Sequence, residues 1–276
     1  MATTEFETLK DVVAAGRKRD GTALDVVRRP APYSYHDFCT SVWKTGNLLG
    51  HYGVHALGEL AVAVGPKAAS GVDRRDAEGA LDAAEPLLAI LGGTIIGGAV
   101  DVTPEEPVDA PALVVPAHWT LEFTASCSRL AYGGPPTDPR VSHFEREVWS
   151  ENPIEPPESV APADDALRFD DETWSHEALL SSTAAVVSEY DLDSATRVVL
   201  GADITEPGGF VAGVLAPLAV GAAIVVPDGA TALTGSELLE LESGGSKTIA
   251  VTENESEETV VAAEEVTRSM RDTRRV

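Results

Sequence analysis

Lysine is scarce in this 276-residue chain, standing only at positions 10, 18, 44, 67 and 247 against fifteen arginines. The acidic balance leaves no basic face for phosphates, which excludes nucleic acid and anionic membrane as partners. Only two cysteines occur, Cys39 and Cys127, so no disulfide framework can form. No stretch of about eighteen residues is apolar throughout, so no transmembrane helix is expected. The opening Met-Ala-Thr-Thr-Glu-Phe-Glu has neither a basic region nor an apolar run. It is not read as a secretory signal, and the expected location is cytoplasmic. Aromatic residues make up 5%. Trp43, Trp119, Trp149 and Trp174 are read as lobe-packing residues, because an acidic surface does not favour a platform for bases.

What the chain has in abundance is acid. Asp and Glu number 45, and the formal net charge is −25. The carboxylates run from Glu5 to Asp272 rather than in one tail. Dispersed like charge repels itself and destabilises a compact state at low salt. At molar salt the Debye length falls to about 3 Å and the repulsion is screened. Dispersed acid with little lysine therefore fits a halophilic, archaeal-type protein of a salt-rich cytoplasm; an ordinary acidic cytosolic protein is the alternative. Hydrophobic residues reach 43%, enough to bury a core.

The hydrophobic pattern alternates short apolar strands with helices. Thr4 to Arg19 reads as a helix opened by a Thr4–Glu7 capping box, followed by a strand from Thr22 to Arg28. Ser34 caps a second helix, with Gly53 at its C-terminal end. Strands are expected at 60–64, 94–102 and 112–115. A helix is expected over 77–91, interrupted at Pro86 and stopped by Gly92-Gly93. Gly133 to Ala163 is rich in Pro, Glu and Ser. It reads as a connector with one helical patch at 143–149; a long ordered surface segment is the alternative. Helices then fall at 175–190, 208–220, 236–242 and 257–271, and strands at 197–201, 222–226 and 248–252. The expected fold is α/β, with two stacked lobes and mostly parallel sheets. The first lobe spans 1–132, the connector 133–163, and the second lobe with a C-terminal helix 164–276. The halves also echo each other. Tyr52-Gly-Val54 before Gly58–Val62 sits beside Tyr190–Leu192 before Thr196–Leu200.

Tyr33-Ser-Tyr35-His-Asp-Phe38, the following helix, Tyr52-Gly-Val54 and Leu60–Val64 resemble the opening of acyl-CoA synthetases. These belong to the adenylate-forming, AMP-binding superfamily. Phe144–Trp149, Asn152-Pro153 and Asp164–Leu167 resemble the approach to that family's phosphate loop, and Trp174–Leu180 the helix after it. Tyr190 to Asp228 resembles the helix–strand–helix–strand block that follows. The resemblance covers most of residues 22–230 and implies the two-lobed N-terminal fold.

The departures bear on activity. The family's loop is rich in Ser, Thr and Gly, ends in Pro-Lys, and holds the phosphates of ATP. The corresponding Arg168-Phe-Asp-Asp-Glu-Thr173 is about ten residues shorter, lacks glycine, and places Asp170, Asp171 and Glu172 where they repel a triphosphate unless a metal intervenes. The family's later motifs, its ribose-binding Asp and its mobile C-terminal domain with the catalytic Lys find no match. Ile204–Pro207 replaces the aromatic and His of the substrate channel. No catalytic, cofactor-binding or metal residue is carried over.

Other chemistry reads as structure. Gly244-Gly-Ser-Lys247-Thr248 lacks the glycine spacing of a phosphate-binding P-loop. Gly92-Gly93 and Gly97-Gly98 read as a helix stop and close sheet packing. His51 and His55 flank Gly53 and form a surface turn. Cys39 is a small core residue, Cys127 carries no catalytic signature, and His176 starts a helix. The last helix ends in Arg271, Arg274 and Arg275, which complement its dipole; docking a partner is the alternative. The expectation is a catalytically degenerate acyl-CoA synthetase-like protein binding an acyl-CoA, a nucleotide or a protein partner. Two alternatives stand beside it. One is a partial AMP-forming ligase using ATP, Mg²⁺ and CoA with a separate subunit. The other is a scaffold or gene remnant with no ligand.

Overall fold

The computed structural model describes residues 6–26, 29–56, 58–67, 77–227, 247–252 and 260–273. In chain order the elements are α1 (Leu9–Gly16), β1 (Thr22–Val26), β2 (Tyr33–Ser34), α2 (Tyr35–His51), β3 (Glu59–Val62), α3 (Glu85–Thr94), β4 (Ala99–Asp101), β5 (Ala112–Pro116), β6 (Ser128–Tyr132) and β7 (Ser142–His143). Then come α4 (Phe144–Ser150), β8 (Asp165–Phe169), β9 (Glu172–Ser175), α5 (His176–Glu189), β10 (Arg197–Leu200) and α6 (Pro207–Phe210). A π-helical turn (Val211–Leu215) leads into α7 (Ala216–Val220), followed by β11 (Ala223–Val226), β12 (Thr248–Thr252), β13 (Val260–Ala262) and α8 (Ala263–Thr273).

The fold is α/β with two sheets. The first has the order β7-β6-β5-β3-β4-β8-β9 and the second β13-β12-β10-β11-β1-β2. Among the described strands only the β8–β9 and β1–β2 pairs are antiparallel. Ala112–Pro116 is buried at every residue, as a strand covered on both faces requires.

The echo in the sequence is a repeat in the topology. Each half runs hairpin, helix, central strand, helix, neighbouring strand, and then strands on the far side of the central one. The hairpins are exchanged. β8–β9 extends the first sheet beside β4, and β1–β2 extends the second beside β11. The compact units are accordingly Met1–Ala14 with Cys39–Glu177, and Ala15–Phe38 with Ala178–Val276. This division differs from the expected lobes at 1–132 and 164–276, because strand pairing places each hairpin with the other half's strands. The 133–163 stretch is not a free connector. It contributes β7 and α4 to the first unit, and Lys10 Nζ donates to the carbonyls of Pro156 and Glu158 at 2.7 and 2.6 Å. Lys44 Nζ donates to Trp149 O at 2.6 Å, and Asn47 Nδ2 to Ile154 O at 2.9 Å.

Several other expectations are corrected. Gly92-Gly93 does not stop a helix; α3 runs through both. A Cβ on Gly92 would lie 2.7 Å from Thr45 Cγ2, and one on Gly93 2.7 Å from Leu60 Cδ2. The glycines let α3 approach α2 and the sheet closely. Pro86 sits in the first turn of α3, where its missing N–H costs nothing. Strand β6 was not anticipated, since Ser-Arg-Leu-Ala-Tyr has no apolar run. The expected 257–271 helix begins only at Ala263, after β13. Trp43, Trp119 and Trp174 are buried, but Trp149 is 82% exposed and packs on nothing comparable. Thr4 of the expected Thr4–Glu7 box and the 236–242 helix lie outside the described residues, as do Arg274 and Arg275. At the start of α1, Thr8 and Asp11 bond reciprocally instead. No helix among the described residues is long and apolar enough to cross a membrane.

Tyr132 ties β6 to the end of β3. Its fully buried hydroxyl accepts from Gly65 N–H at 3.0 Å and donates to Gly65 O at 2.8 Å. Tyr132→Phe should destabilise the protein by about 1–3 kcal/mol, since it strands a buried backbone N–H. Chemical denaturation of the two proteins checks this.

Candidate functional site

The first place to look for a site is the tip of the β8–β9 hairpin. Phe169 pairs with Glu172, so Asp170-Asp171 form a two-residue turn. Asp170 has φ 48°, a left-handed conformation that Asp tolerates better than most residues. Its N–H donates to Thr103 Oγ1 at 2.7 Å. Arg168 is held at the base, 3.0 Å from Glu59 Oε1 and 2.8 Å from Asp101 Oδ2. The tip therefore presents carboxylates, and its nearest guanidinium is already neutralised by two others.

The second unit holds a cavity of about 600 Å³. One wall is Asp203 and Glu206, in the segment between β10 and α6. The other is one face of α8: Ala263, Glu264, Thr267, Arg268, Arg271 and Asp272. Chain order reverses across β10, with β11 on one side and β12 on the other. Ligands of open α/β sheets gather at the carboxyl ends of strands at such a reversal. Asp203 Oδ1 accepts from Thr205 N–H and Thr205 Oγ1, both at 2.7 Å. Burial nevertheless pushes its carboxyl pKa up. Thr267 Oγ1 accepts Gly208 N–H at 2.8 Å, fixing α8 against the start of α6. Arg268 and Arg271, about one helical turn apart, bring two guanidinia to a cavity lined by four carboxylates, two on each wall. Among the described residues the lining is charged and polar apart from Ala263.

A third charged group lies at the carboxyl ends of β3 and β6. Lys67 Nζ is 2.7 Å from Glu85 Oε1 and 3.7 Å from Glu145 Oε1. Glu145 Oε1 also accepts Gly133 N–H at 2.7 Å. This is an internal tie between elements of the first unit.

The sequence candidates are not brought together. His51 ends α2 and faces Glu151 at 3.6 Å, while His55 follows the turn at Gly53. Cys39 and Cys127 are both buried, and burial raises the Cys127 thiol pKa. His176 is fully buried, and its Nδ1 accepts Leu9 N–H at 3.1 Å. Among the described residues no group of three His, Cys, Asp or Glu could hold a metal ion. Sequence reasoning missed Asp203, Glu206 and Arg268, and read Arg271 as a dipole complement, with docking of a partner as the alternative. Their one signal was position, directly after a strand or along the last helix.

No family model and no curated protein matches the chain. Solved structures do. The anthranilate CoA ligase AuaEII in complex with anthranoyl-AMP matches 91% of this chain at 15% identity, with a TM-score of 0.67. The fold is that of the N-terminal portion of adenylate-forming enzymes. A putative long-chain-fatty-acid CoA ligase from Rhodopseudomonas palustris matches 91% at 17% identity and TM-score 0.66. The Klebsiella oxytoca NpsA N-terminal subdomain in complex with anthranilyl-AMSN matches 88% at 13% identity and TM-score 0.64. The chain spans 50%, 64% and 58% of these three, so it corresponds to part of the adenylate-forming architecture.

Proposed function

We propose that this protein is a catalytically degenerate acyl-CoA synthetase-like protein of a halophile's cytoplasm, which binds an acyl-CoA, a nucleotide or a protein partner without activating an acid. The β8–β9 hairpin carries this reading. The resemblance aligns it with the phosphate loop, and there the chain has a two-residue turn bearing Asp170 and Asp171. These residues do not fit a triphosphate. The tip is acidic, and the N–H of Asp170 is spent on Thr103. The cavity beside α8 offers a small ligand a place without requiring the lost loop.

A second reading is a partial AMP-forming ligase completed by a separate subunit. The chain spans about half of the anthranilate CoA ligase that it resembles in fold. The test is a thermal-shift screen in multi-molar KCl with ATP and Mg²⁺, AMP, CoA and short acyl-CoAs, joined to an acid-dependent pyrophosphate exchange assay. The expected result is no exchange, no shift with ATP, and a shift with CoA or an acyl-CoA. At 100 times its dissociation constant a ligand should add about 2.7 kcal/mol. Exchange by the isolated chain would overturn the degenerate reading. Exchange appearing only with a second subunit would establish the alternative.

A further inference from the structure

The two repeats treat the first residue after each hairpin alike. Tyr35 opens α2 and is fully buried, with its hydroxyl donating to Ala222 O at 2.7 Å. His176 opens α5 and is fully buried, with Nδ1 accepting the Leu9 N–H. A tyrosine hydroxyl can donate at any pH below about 10. An imidazole that accepts through Nδ1 can do so only while neutral.

That bond is part of what seats α1. The donors on either side are met locally, since Asp11 Oδ2 accepts Thr8 N–H at 2.8 Å and Glu7 N–H at 3.2 Å, and Thr8 O accepts Asp11 N–H and Val12 N–H. Leu9 N–H relies on His176. Beneath it Leu9, Val12 and Val13 are buried, and the adjacent Lys10 anchors the 156–158 segment through two carbonyls. His176 Nε2 is buried with no hydrogen-bond partner among the described residues. A proton added to this ring would therefore find no acceptor, and would turn Nδ1 from acceptor into a donor facing Leu9 N–H.

We infer that His176 is an acid-sensitive latch, holding α1 and the 156–158 segment on the first unit while neutral and releasing them when protonated. This goes beyond the proposed function and does not depend on it. The charged groups facing the ring are Asp11 from α1 and Asp164 from the turn before β8. Glu177 follows His176 on its own helix. Asp11 Oδ2 accepts from Thr8 Oγ1 and Asp164 Oδ2 accepts Ala161 N–H at 2.7 Å, and neither carboxylate is hydrogen-bonded to the ring. Burial lowers the His176 pKa from 6.5 to about 4, with Asp164 and Asp11 opposing it. The sign follows. The folded pKa lies below the unfolded one, so the latch is intact above pH 6.5 and is lost progressively as pH falls toward 4.

The experiment is hydrogen exchange of the whole chain between pH 7.5 and 4.5 in constant KCl, corrected for intrinsic exchange. Protection of Leu9 and its α1 neighbours should fall by about tenfold per pH unit below 6.5, while the β5 amides hold. His176→Gln keeps an acceptor that does not titrate and should flatten this dependence. His176→Phe should leave α1 weakly protected at every pH. Should either variant fail to fold, the wild-type imidazole ¹⁵N shifts still decide. They should show the Nε2–H tautomer at pH 7.5, persisting well below pH 6.5, with protonation only as the pH approaches 4. Constant α1 protection down to pH 4.5, an Nδ1–H tautomer, or an unchanged acid dependence in His176→Gln would each overturn the latch.

Discussion

Gly208→Ala should destabilise the protein by about 3 kcal/mol or more, at the upper end of what overpacking costs. The reason is backbone contact. A Cβ at Gly208 would lie 1.9 Å from Ala263 O and 2.6 Å from Thr267 Oγ1. A carbonyl oxygen cannot swing aside as a side chain can, so α8 or α6 must move as a body. Gly209 is closed from another side, since its Cβ would meet Asp203 O at 2.0 Å. Neither glycine has room to pass the strain on. The same movement would break the Gly208 N–H bond to Thr267, and Thr267, Ala263 and Asp203 all line the cavity. For a chain of this size the loss should lower the melting temperature by about 6–12 °C. Gly50→Ala is the matched control. Gly50 lies in α2, and a Cβ there meets nothing within 4 Å. That change should stabilise by about 0.5–1 kcal/mol through helix propensity. Thermal unfolding of both variants checks the pair. If Gly208→Ala falls within about 1 kcal/mol of the wild type, α8 is not seated on α6 as described.

The parts of the fold that read clearly from sequence are those where burial is two-sided. Leu60–Val62, Ala112–Val115, Val198–Leu200 and Ile224–Val226 are unbroken apolar runs, and all are buried strands. The repeat was legible because each central strand follows a helix end and a turn at matching places. β6 was hidden because Ser128 and Arg129 precede its buried half. α3 was cut short because two glycines usually end a helix, whereas here they serve close packing. The exchange of hairpins had no sequence signal, since β1–β2 and β8–β9 read the same whichever sheet they join. The candidate cavity was the least legible. It joins Asp203 and Glu206 to a helix about sixty residues later, and its charges resemble those of any solvated face in so acidic a chain.

Raising KCl from 0.1 M to 3 M should raise the melting temperature by about 10 °C or more, equivalent to a few kcal/mol for a chain this long. The formal charge is −25. Among the described residues most Asp and Glu side chains are at least partly exposed, Glu85 being buried and Asp203 largely desolvated. Asp and Glu outnumber Lys and Arg 45 to 20. Lys10, Lys44 and Lys247 donate to main-chain carbonyls, and Lys67 is tied to Glu85. Four of the five lysines thus serve as internal fasteners. At 0.1 M the Debye length of about 10 Å spans several neighbouring carboxylates; at 3 M it is below about 3 Å, shorter than most of their separations. Screening must be distinguished from the strengthening of apolar burial by excluded solutes. Sucrose at matched osmolality leaves Coulomb repulsion in place, so it should recover only a minor part of the rise. Converting several exposed Asp and Glu to Asn and Gln should raise stability at low salt and shrink the KCl dependence. An equal rise with sucrose, or a melting temperature indifferent to KCl, would remove the case for adaptation to a salt-rich cytoplasm. The acidic surface would then have to be explained by what it binds or avoids.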